Sequence, residues 1–216
     1  MKRVVKSAEP QVFTEWKEKA NDDWQPSYGT LQNPEKRALH EALIAEQGYV
    51  CCYCGRTISL TDSHIEHFLP QEDYGHLALE YVNLHASCIR ELEPGAPLHC
   101  GHAKGSDLDE EKCISPVAQD CEQRFMYSRQ DGAIYPTDKS DGAAVYMAEL
   151  LKLDLRFLRD RRTAVLKSVF DDQFMSSASN HELNKLIEAY RRPDADGRVV
   201  AFGHVLARYA EQMLAD

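Results

Sequence analysis

Four cysteines carry the clearest chemical signal in this 216-residue chain. Cys51 and Cys54 form a Cys-x-x-Cys pair, followed directly by Gly55. The two sulfurs of such a turn converge on one ion, and the glycine permits the tight backbone. Cys88 and Cys100 each lie beside a turn-forming segment and are the natural candidates to complete a tetrahedron. Zinc prefers four such soft ligands in a closed structural site.

The remaining cysteines leave other interpretations open. The chain has seven cysteines, an odd number that argues against a disulfide framework and for metal ligation or buried thiols. We expect Cys52, Cys113 and Cys121 in the core. The alternatives for the Cys-x-x-Cys pair are unligated thiols or a thioredoxin-like redox pair, and no βαβ pattern surrounds it.

A second cluster combines histidines with an acid, an amide and a lysine. A carboxylate and a His or Asn can hold a hard divalent ion against a phosphate, and a neutral imidazole can deprotonate water. An amide can fix the loop or the imidazole, and a lysine can steady the phosphate charge. Each residue alone is more often a solvated side chain or a turn cap, but their order favours phosphodiester cleavage. The candidates are Glu66, His67, Asn83, His102 and Lys104.

Composition limits the class of protein. The chain is 43% hydrophobic and 28% charged, as expected for one globular domain of ordinary size. No apolar run approaches the roughly 18–20 residues of a membrane span, and no apolar stretch follows the basic start, so we expect a cytosolic protein. The net charge is −10, of which the first 149 residues carry −11 and the rest +1. Binding nucleic acid therefore requires a compact basic site or a partner.

Periodicity and punctuation predict the elements that position these residues. We expect helices over residues 10–21 and 34–47, strands over 63–69 and 81–86, and loops over 22–33 and 93–98. An acidic, turn-rich segment covers 106–141, and helices follow from residue 143. The expected N-caps are Asn33, Asp154 and Asn180. The expected inward face of the first helix consists of Val12, Phe13, Trp16 and Ala20, and that of the last consists of Val200, Val205, Leu206 and Met213.

The motifs CCYC, EHFLP, NLHASC and CGHAKG, in this order, resemble those of the HNH endonucleases in the His-Me finger (ββα-metal) superfamily. The longer phrases SHIEHFLPQ, YVNLHASC and HCGHAKG resemble the PtuB-type HNH nucleases of Septu and retron-associated antiphage systems. The resemblance covers most of the chain. The expected fold is α+β and mainly helical, with three parts: an N-terminal helical segment (1–48) packed on the core, a zinc-stabilised HNH core (49–141) and a C-terminal helical region (142–216). The sequence leaves open whether the last region packs on the core or docks a partner.

The resemblance also implies a role for each candidate: His67 as general base, Glu66 as ligand of a catalytic Mg²⁺ or Mn²⁺, Asn83 as the residue that orients the base or the loop, His102 as second ligand, and Lys104 as the motif lysine. Two departures affect the ion. Gly101 stands where the family has its last His or Asn. Glu66 is longer than the more usual Asp, so that His64 or Asp107 can contribute.

Substrate and partners follow from the same resemblance. PtuB-type nucleases work with a PtuA ATPase and, in retrons, with a reverse transcriptase and its DNA–RNA product (msDNA). We expect DNA as substrate and RNA, for example tRNA, as the alternative, because a site of this kind makes no essential use of the 2′-hydroxyl. Two other classes stay open: a catalytically inactive zinc scaffold, and a zinc hydrolase of small substrates, which would need an open coordination position.

Overall fold

The computed structural model describes residues 1–89, 91 and 94–215. Eight helices are found in this part of the chain: α1 (Gln11–Lys17), α2 (Glu35–Glu46), α3 (Gly101–Lys104), α4 (Gly142–Leu150), α5 (Arg156–Val169), α6 (Asp172–Ser177), α7 (Asn180–Arg191) and α8 (Gly203–Ala215). Two antiparallel pairs of strands accompany them: β1 (Ser63–His67) with β2 (Leu84–Cys88), and β3 (Phe125–Tyr127) with β4 (Ile134–Pro136). The fold is therefore a mixed α and β structure with two small sheets.

The β1–β2 pair carries most of the histidine–acid cluster. In its register Glu66 faces His85 and His64 faces Ser87. Because side chains alternate along a strand, these four share one face, and His67 points to the other. Gln47, buried at the end of α2, fixes β2 from behind: its side chain donates to the Ala86 carbonyl over 2.8 Å and accepts from the Ala86 amide over 2.7 Å.

One hydrophobic core joins all three predicted parts of the chain. Its fully buried members come from the N-terminal helices, from the central segment and from the C-terminal helices; they include Phe13, Leu39, Tyr53, Leu84, Leu158 and Val205. Burial of each such large apolar side chain contributes about 1.5–3 kcal/mol. The C-terminal helices therefore pack on the same core as the central segment, while the predicted boundaries at residues 48 and 141 stay predictions.

The first helix is shorter than predicted. It ends at Lys17, and only Phe13 and Trp16 of the expected inward face are buried, whereas Val12 is 37% exposed. Ala20 is exposed as well. The side-chain oxygen of Asn21 accepts hydrogen bonds from the amides of residues 23 and 24, which forms a turn and ends the helical path.

All three predicted N-caps are wrong. α2 begins after Pro34 without a side-chain cap. Asp154 does not cap α5; its carboxylate accepts from the Ile134 amide over 3.1 Å and lies 3.3 Å from Arg162. Asn180 lies inside α7, because Ser179 forms a capping box with Glu182 one residue earlier.

The strand predictions were correct in pairing and displaced in bounds. β1 ends at His67 rather than at residue 69, and β2 begins at Leu84, after a 3-10 turn over Tyr81–Asn83. The turn-rich segment 106–141 contains the β3–β4 pair, which was missed. Of the predicted loop 93–98, residue 93 lies outside the described residues.

Three further expectations concern burial and membranes. Cys52 and Cys121 are buried as predicted, whereas Cys113 is only partly buried. Val200, placed on the inward face of the last helix, is 52% exposed because it precedes α8. No helix among the described residues is both long and apolar enough to cross a membrane.

Candidate metal centre and catalytic site

The four predicted zinc ligands lie together in the interior. The sulfur atoms of Cys51, Cys54, Cys88 and Cys100 all lie within 4.8 Å of one another, and all four residues are buried. Four sulfurs bound to zinc at about 2.3 Å lie about 3.8 Å apart at the corners of a tetrahedron. The Cys54 and Cys88 sulfurs are already 3.8 Å apart. The cluster therefore fits a structural metal ion such as zinc.

The backbone at the first two cysteines forms a tight turn that brings the sulfur atoms of Cys51 and Cys54 together. The Gly55 amide donates to the Cys51 carbonyl over 3.0 Å, which closes the turn. Gly55 has a φ of +77°, and a Cβ there would lie 2.3 Å from the His204 ring, so the position requires glycine. The Cys88 amide lies 3.4 Å from the Cys51 sulfur, and the amide can donate to it. Such N–H groups stabilise thiolate ligands.

Without an ion, the thiols must share their protons. Burial opposes ionisation of Cys51, but hydrogen bonds from Cys100 and its other cysteine neighbours outweigh that cost and lower the pKa of Cys51. Burial raises the pKa of Cys100 well above its usual value. Cys51 is thus favoured as a thiolate over Cys100, and ionisation of Cys100 as well requires a cation beside it.

Glu66 lies at the centre of the second cluster and is 6% exposed. Its Oε1 accepts from the Tyr53 hydroxyl over 3.0 Å and lies 3.2 Å from Lys104 Nζ. Its Oε2 lies 3.2 Å from His64 Nε2. Burial raises the pKa of Glu66, but His64 and Lys104 together lower it by more, so that the carboxyl is ionised at neutral pH.

His64 and Glu66 present a pair of ligand atoms. His64 Nδ1 lies 2.6 Å from the Ile89 carbonyl, so this nitrogen carries the proton and Nε2 faces the carboxylate. Adjacent ligands of an octahedral ion with bonds of about 2.1 Å lie about 3.0 Å apart. The observed 3.2 Å between Nε2 and Oε2 fits that spacing. In the metal-free protein the carboxylate outweighs burial and raises the pKa of His64.

Gly101 explains how this pair fits. A Cβ at this position would lie 2.3 Å from Glu66 Oε2 and 2.8 Å from His64 Nε2. The backbone of α3 therefore approaches the carboxylate more closely than any side chain would allow. The space toward which a side chain at residue 101 would point is occupied by His64 and Glu66.

His67 lies on the opposite face of β1 from His64 and Glu66, because side chains alternate along the strand. Its Nε2 lies 3.0 Å from the Ala78 carbonyl, which places the proton on Nε2 and leaves the Nδ1 lone pair free to accept a proton. The Tyr28 ring meets the imidazole edge-on, with centroids 4.4 Å apart. Burial lowers the pKa of His67, so the ring is neutral at neutral pH.

Asn83 holds the loop that follows β1. Its Oδ1 accepts from the Leu69 amide over 2.7 Å, and its Nδ2 donates to the carbonyls of Leu69 and Leu77 over 3.0 and 3.2 Å. These bonds account for the amide's donors and one acceptor. Of the two roles expected for this residue, the contacts favour orientation of the loop.

His102 and Lys104 were expected to face an ion and a phosphate, but both side chains are engaged by protein groups. His102 Nε2 lies 3.0 Å from the same Ile89 carbonyl, and its ring centroid lies 4.5 Å from that of His64. Lys104 is 1% exposed and donates to the His67 carbonyl over 2.9 Å. It thus neutralises Glu66 from inside the protein. Asp107 is exposed on the surface.

A cavity of about 420 Å³ connects these groups with solvent. Its lining combines side chains of β1 with residues of α3. The candidate site residues among them are His64, Glu66, His67, Gly101, His102 and Lys104. One opening thus borders His64, Glu66 and His67, although the His67 side chain projects from the other face of β1.

Sequence reasoning missed two features of this region. His85 lies opposite Glu66, is fully buried, and has no hydrogen-bond partner for either ring nitrogen among the described residues. Burial, reinforced by Lys6 and Lys104, lowers its pKa to about 3. Ile89 has a φ of +72°, which is unfavourable for a β-branched residue. The histidine of the phrase NLH was a sequence signal for the buried His85, whereas the sequence contains no signal for the backbone conformation of Ile89.

Comparison with known proteins agrees with the HNH motifs. The chain is 28% identical over 104 residues to the "Retron Vc95 putative HNH endonuclease" of Vibrio cholerae serotype O1 biovar El Tor. The match covers 47% of this chain and 48% of that protein, so the chain spans about half the length of the relative it matches. No protein-family model matches the chain. The relationship supports a nuclease of the HNH type.

Proposed function

We propose that this chain is a metal-dependent HNH endonuclease that hydrolyses phosphodiester bonds of nucleic acid, with DNA as the expected substrate. The observation that carries the proposal is the convergence of Glu66 Oε2 and His64 Nε2, 3.2 Å apart, beside the same cavity as His67. A divalent cation bound there supplies a Lewis acid that polarises the phosphate. The four-cysteine cluster beneath holds zinc and serves structure alone.

In this proposal His67 is the general base. Its Nε2–H is engaged by the Ala78 carbonyl, so Nδ1 receives the proton of the attacking water. The lowered pKa keeps the imidazole neutral and ready to accept that proton. Asn83 acts indirectly, because its hydrogen bonds to Leu69 fix the loop that follows His67.

The second ligand in this proposal is His64, in place of the expected His102. His64 presents Nε2 to Glu66, whereas His102 directs its own Nε2 to the Ile89 carbonyl. His102 packs on the His64 ring and supports its orientation. Lys104 does not contact the phosphate in this proposal. It forms a buried ion pair with Glu66 Oε1, which keeps the carboxylate ionised and leaves Oε2 beside His64 Nε2.

Biological context is part of the proposal. A net charge of −10 suits a nuclease that relies on a partner for capture of its substrate. We therefore propose an effector of antiphage defence that is controlled by a PtuA-type ATPase, with retron reverse transcriptase and msDNA as further partners. The retron in the name of the Vibrio relative supports this context. RNA stays the alternative substrate.

The test is cleavage by the zinc-loaded protein with Mg²⁺ or Mn²⁺, on plasmid DNA and on tRNA, with and without the ATPase. We expect His67→Ala to lower the rate by about 10²–10⁴-fold. His181→Ala, an exposed histidine at the start of α7, is the matched control and leaves the rate unchanged. Wild-type cleavage by His67→Ala refutes the proposed base, and full activity without the ATPase refutes partner control.

A further inference from the structure

A second cavity adjoins the catalytic one. It has a volume of about 580 Å³ and lies between the start of α2, the segment before it and the start of β1. We name it the Lys36 groove; its defining residues are Tyr28, Asn33, Lys36, Arg37, Thr61 and His64. His64 and Ile65 line both this groove and the catalytic cavity. The two cavities therefore meet at the start of β1.

The charge of the groove is unlike that of the rest of the protein. It is lined by two cations, Lys36 and Arg37, and by no carboxylate. Four other cavities of the described residues all have at least one carboxylate in their lining. In a protein with a net charge of −10, this makes the groove a local site for an anion.

Both cations are available to a ligand. Lys36 has no carboxylate within ion-pair distance among the described residues, and its Nζ lies over the Tyr28 ring, 4.9 Å from the centroid. Arg37 Nε contacts Glu41, but both side chains are at least half exposed, so the pair contributes little and competes weakly with another anion. The terminal guanidinium nitrogens remain able to bind a phosphate.

Tyr28 links the groove to the general base. Its ring contacts the His67 imidazole, and the Lys36 ammonium lies over the same ring, 4.9 Å from its centroid. Burial, reinforced by Glu66, raises the pKa of Tyr28 to about 12, so the hydroxyl stays neutral and can donate to an anion. Tyr28 thus contacts both the proposed general base and one cation of the groove.

We propose that the Lys36 groove binds the phosphate backbone of the nucleic-acid substrate on one side of the scissile bond. The proposal rests on the proposed nuclease function and names the surface that guides the substrate strand. Lys36 and Arg37 each neutralise one phosphate, and the contact is independent of base sequence.

The experiment measures binding of a fluorescent oligonucleotide to the full zinc-loaded chain in the His67→Ala background, without added divalent ions, from 50 to 200 mM salt. Each phosphate contact contributes about 0.7–0.9 to the slope of log K against log salt. Loss of two contacts in the Lys36→Ala/Arg37→Ala variant lowers the slope by about 1.4–1.8. Over this fourfold range of salt, the parent therefore loses about 7- to 12-fold more affinity than the variant.

Lys185→Ala/Arg192→Ala removes the same charge from exposed positions on and after α7, and we expect it to keep the parent slope. Lys36→Arg keeps the parent slope if charge is the cause, and zinc content with thermal unfolding checks the fold of each variant. An unchanged slope in the groove variant or an equal loss in the control overturns the proposal, and so does a parent that binds neither alone nor together with the ATPase. The nuclease proposal fails separately, if the groove binds as expected but wild-type protein with Mg²⁺ or Mn²⁺ and the ATPase does not cut.

Discussion

Gly101→Ala tests the catalytic arrangement with the smallest possible change. The added Cβ would lie 2.3 Å from Glu66 Oε2, whereas ordinary contact begins at 3.4 Å. The carboxylate oxygen must therefore move by about 1.1 Å, and His64 Nε2, at 2.8 Å, must move as well. Because a displacement of about 1 Å can cost about 10²-fold in rate, we expect a loss of about 100-fold in kcat.

The assay combines single-turnover cleavage with Mn²⁺ binding followed by electron paramagnetic resonance. We expect weaker Mn²⁺ binding together with the lower rate, because both ligand atoms are displaced. Overpacking costs about 1–3 kcal/mol of stability, so zinc content and thermal unfolding confirm that the variant is folded. The backbone of Gly101 lies outside the left-handed region, so alanine introduces no conformational strain.

Gly142→Ala is the matched control, since a Cβ there meets no atom within 4 Å. It lies at the start of α4, where alanine is well tolerated. If Gly101→Ala cleaves at the wild-type rate and binds Mn²⁺ with unchanged affinity, the pair of Glu66 and His64 does not hold the ion. The assignment would then return to His102.

Three further predictions concern protonation and zinc. The acidic limb of kcat/KM should lie below the ordinary His value of about 6.5, because burial lowers the pKa of His67; a limb above that value contradicts the assignment. Cys54→Ala should abolish tight zinc binding and lower the unfolding temperature sharply, whereas Cys121→Ala, which removes a buried thiol outside the cluster, should keep one zinc by metal analysis. Glu66 has a lowered pKa, so it stabilises the fold above its unfolded value of about 4.5 and that stability is lost as pH falls through the folded pKa; Glu66→Gln should flatten this dependence in urea titrations below pH 4.5.

The zinc cluster and the strand pair were predictable because their signals are local. A Cys-x-x-Cys turn followed by Gly55 restricts the backbone strongly, and the only widely separated ligands, Cys88 and Cys100, each adjoin a turn. The alternation around Glu66 and His67 likewise placed the two side chains on opposite faces of β1. In both cases a short segment determines the geometry.

The contacts of Lys104 depend on the approach of α3 to β1, which no local sequence pattern gives, whereas His64 was already expected, with Asp107, as an alternative ligand. The position of Lys104 in the motif suggested a phosphate contact, but its Nζ lies buried between Glu66 and the His67 carbonyl. In the sequence, Gly101 is recognisable only as a glycine at the position where the family has a His or Asn ligand. In the fold, His64 and Glu66 occupy the space that such a side chain would need, and this contact arises only from tertiary packing.

The cap predicted at Asp154 failed for a similar physical reason. Asp154 has a capping side chain just before α5, yet it bonds to the Ile134 amide and lies beside the buried Arg162. A buried guanidinium needs a nearby carboxylate more than an exposed helix end needs a cap, since unpaired buried charge costs several kcal/mol. The β3–β4 pair that supplies the amide was itself missed, so the competition could not be foreseen.

The four-cysteine cluster is also connected to the histidines of the proposed catalytic site. Ile89 follows Cys88 directly, and its carbonyl lies 2.6 Å from His64 Nδ1 and 3.0 Å from His102 Nε2. To reach both rings, Ile89 adopts a φ of +72°, a conformation that costs about 1–3 kcal/mol for such a residue. Gly101, which follows Cys100, is held against Glu66 in the same way. Because Cys88 and Cys100 belong to one four-sulfur cluster, a metal ion bound there would offset the strain at Ile89 and hold the Nδ1–H of His64 against the Ile89 carbonyl. In the proposed function, the Nε2 lone pair of His64 would then face the second, exchangeable ion.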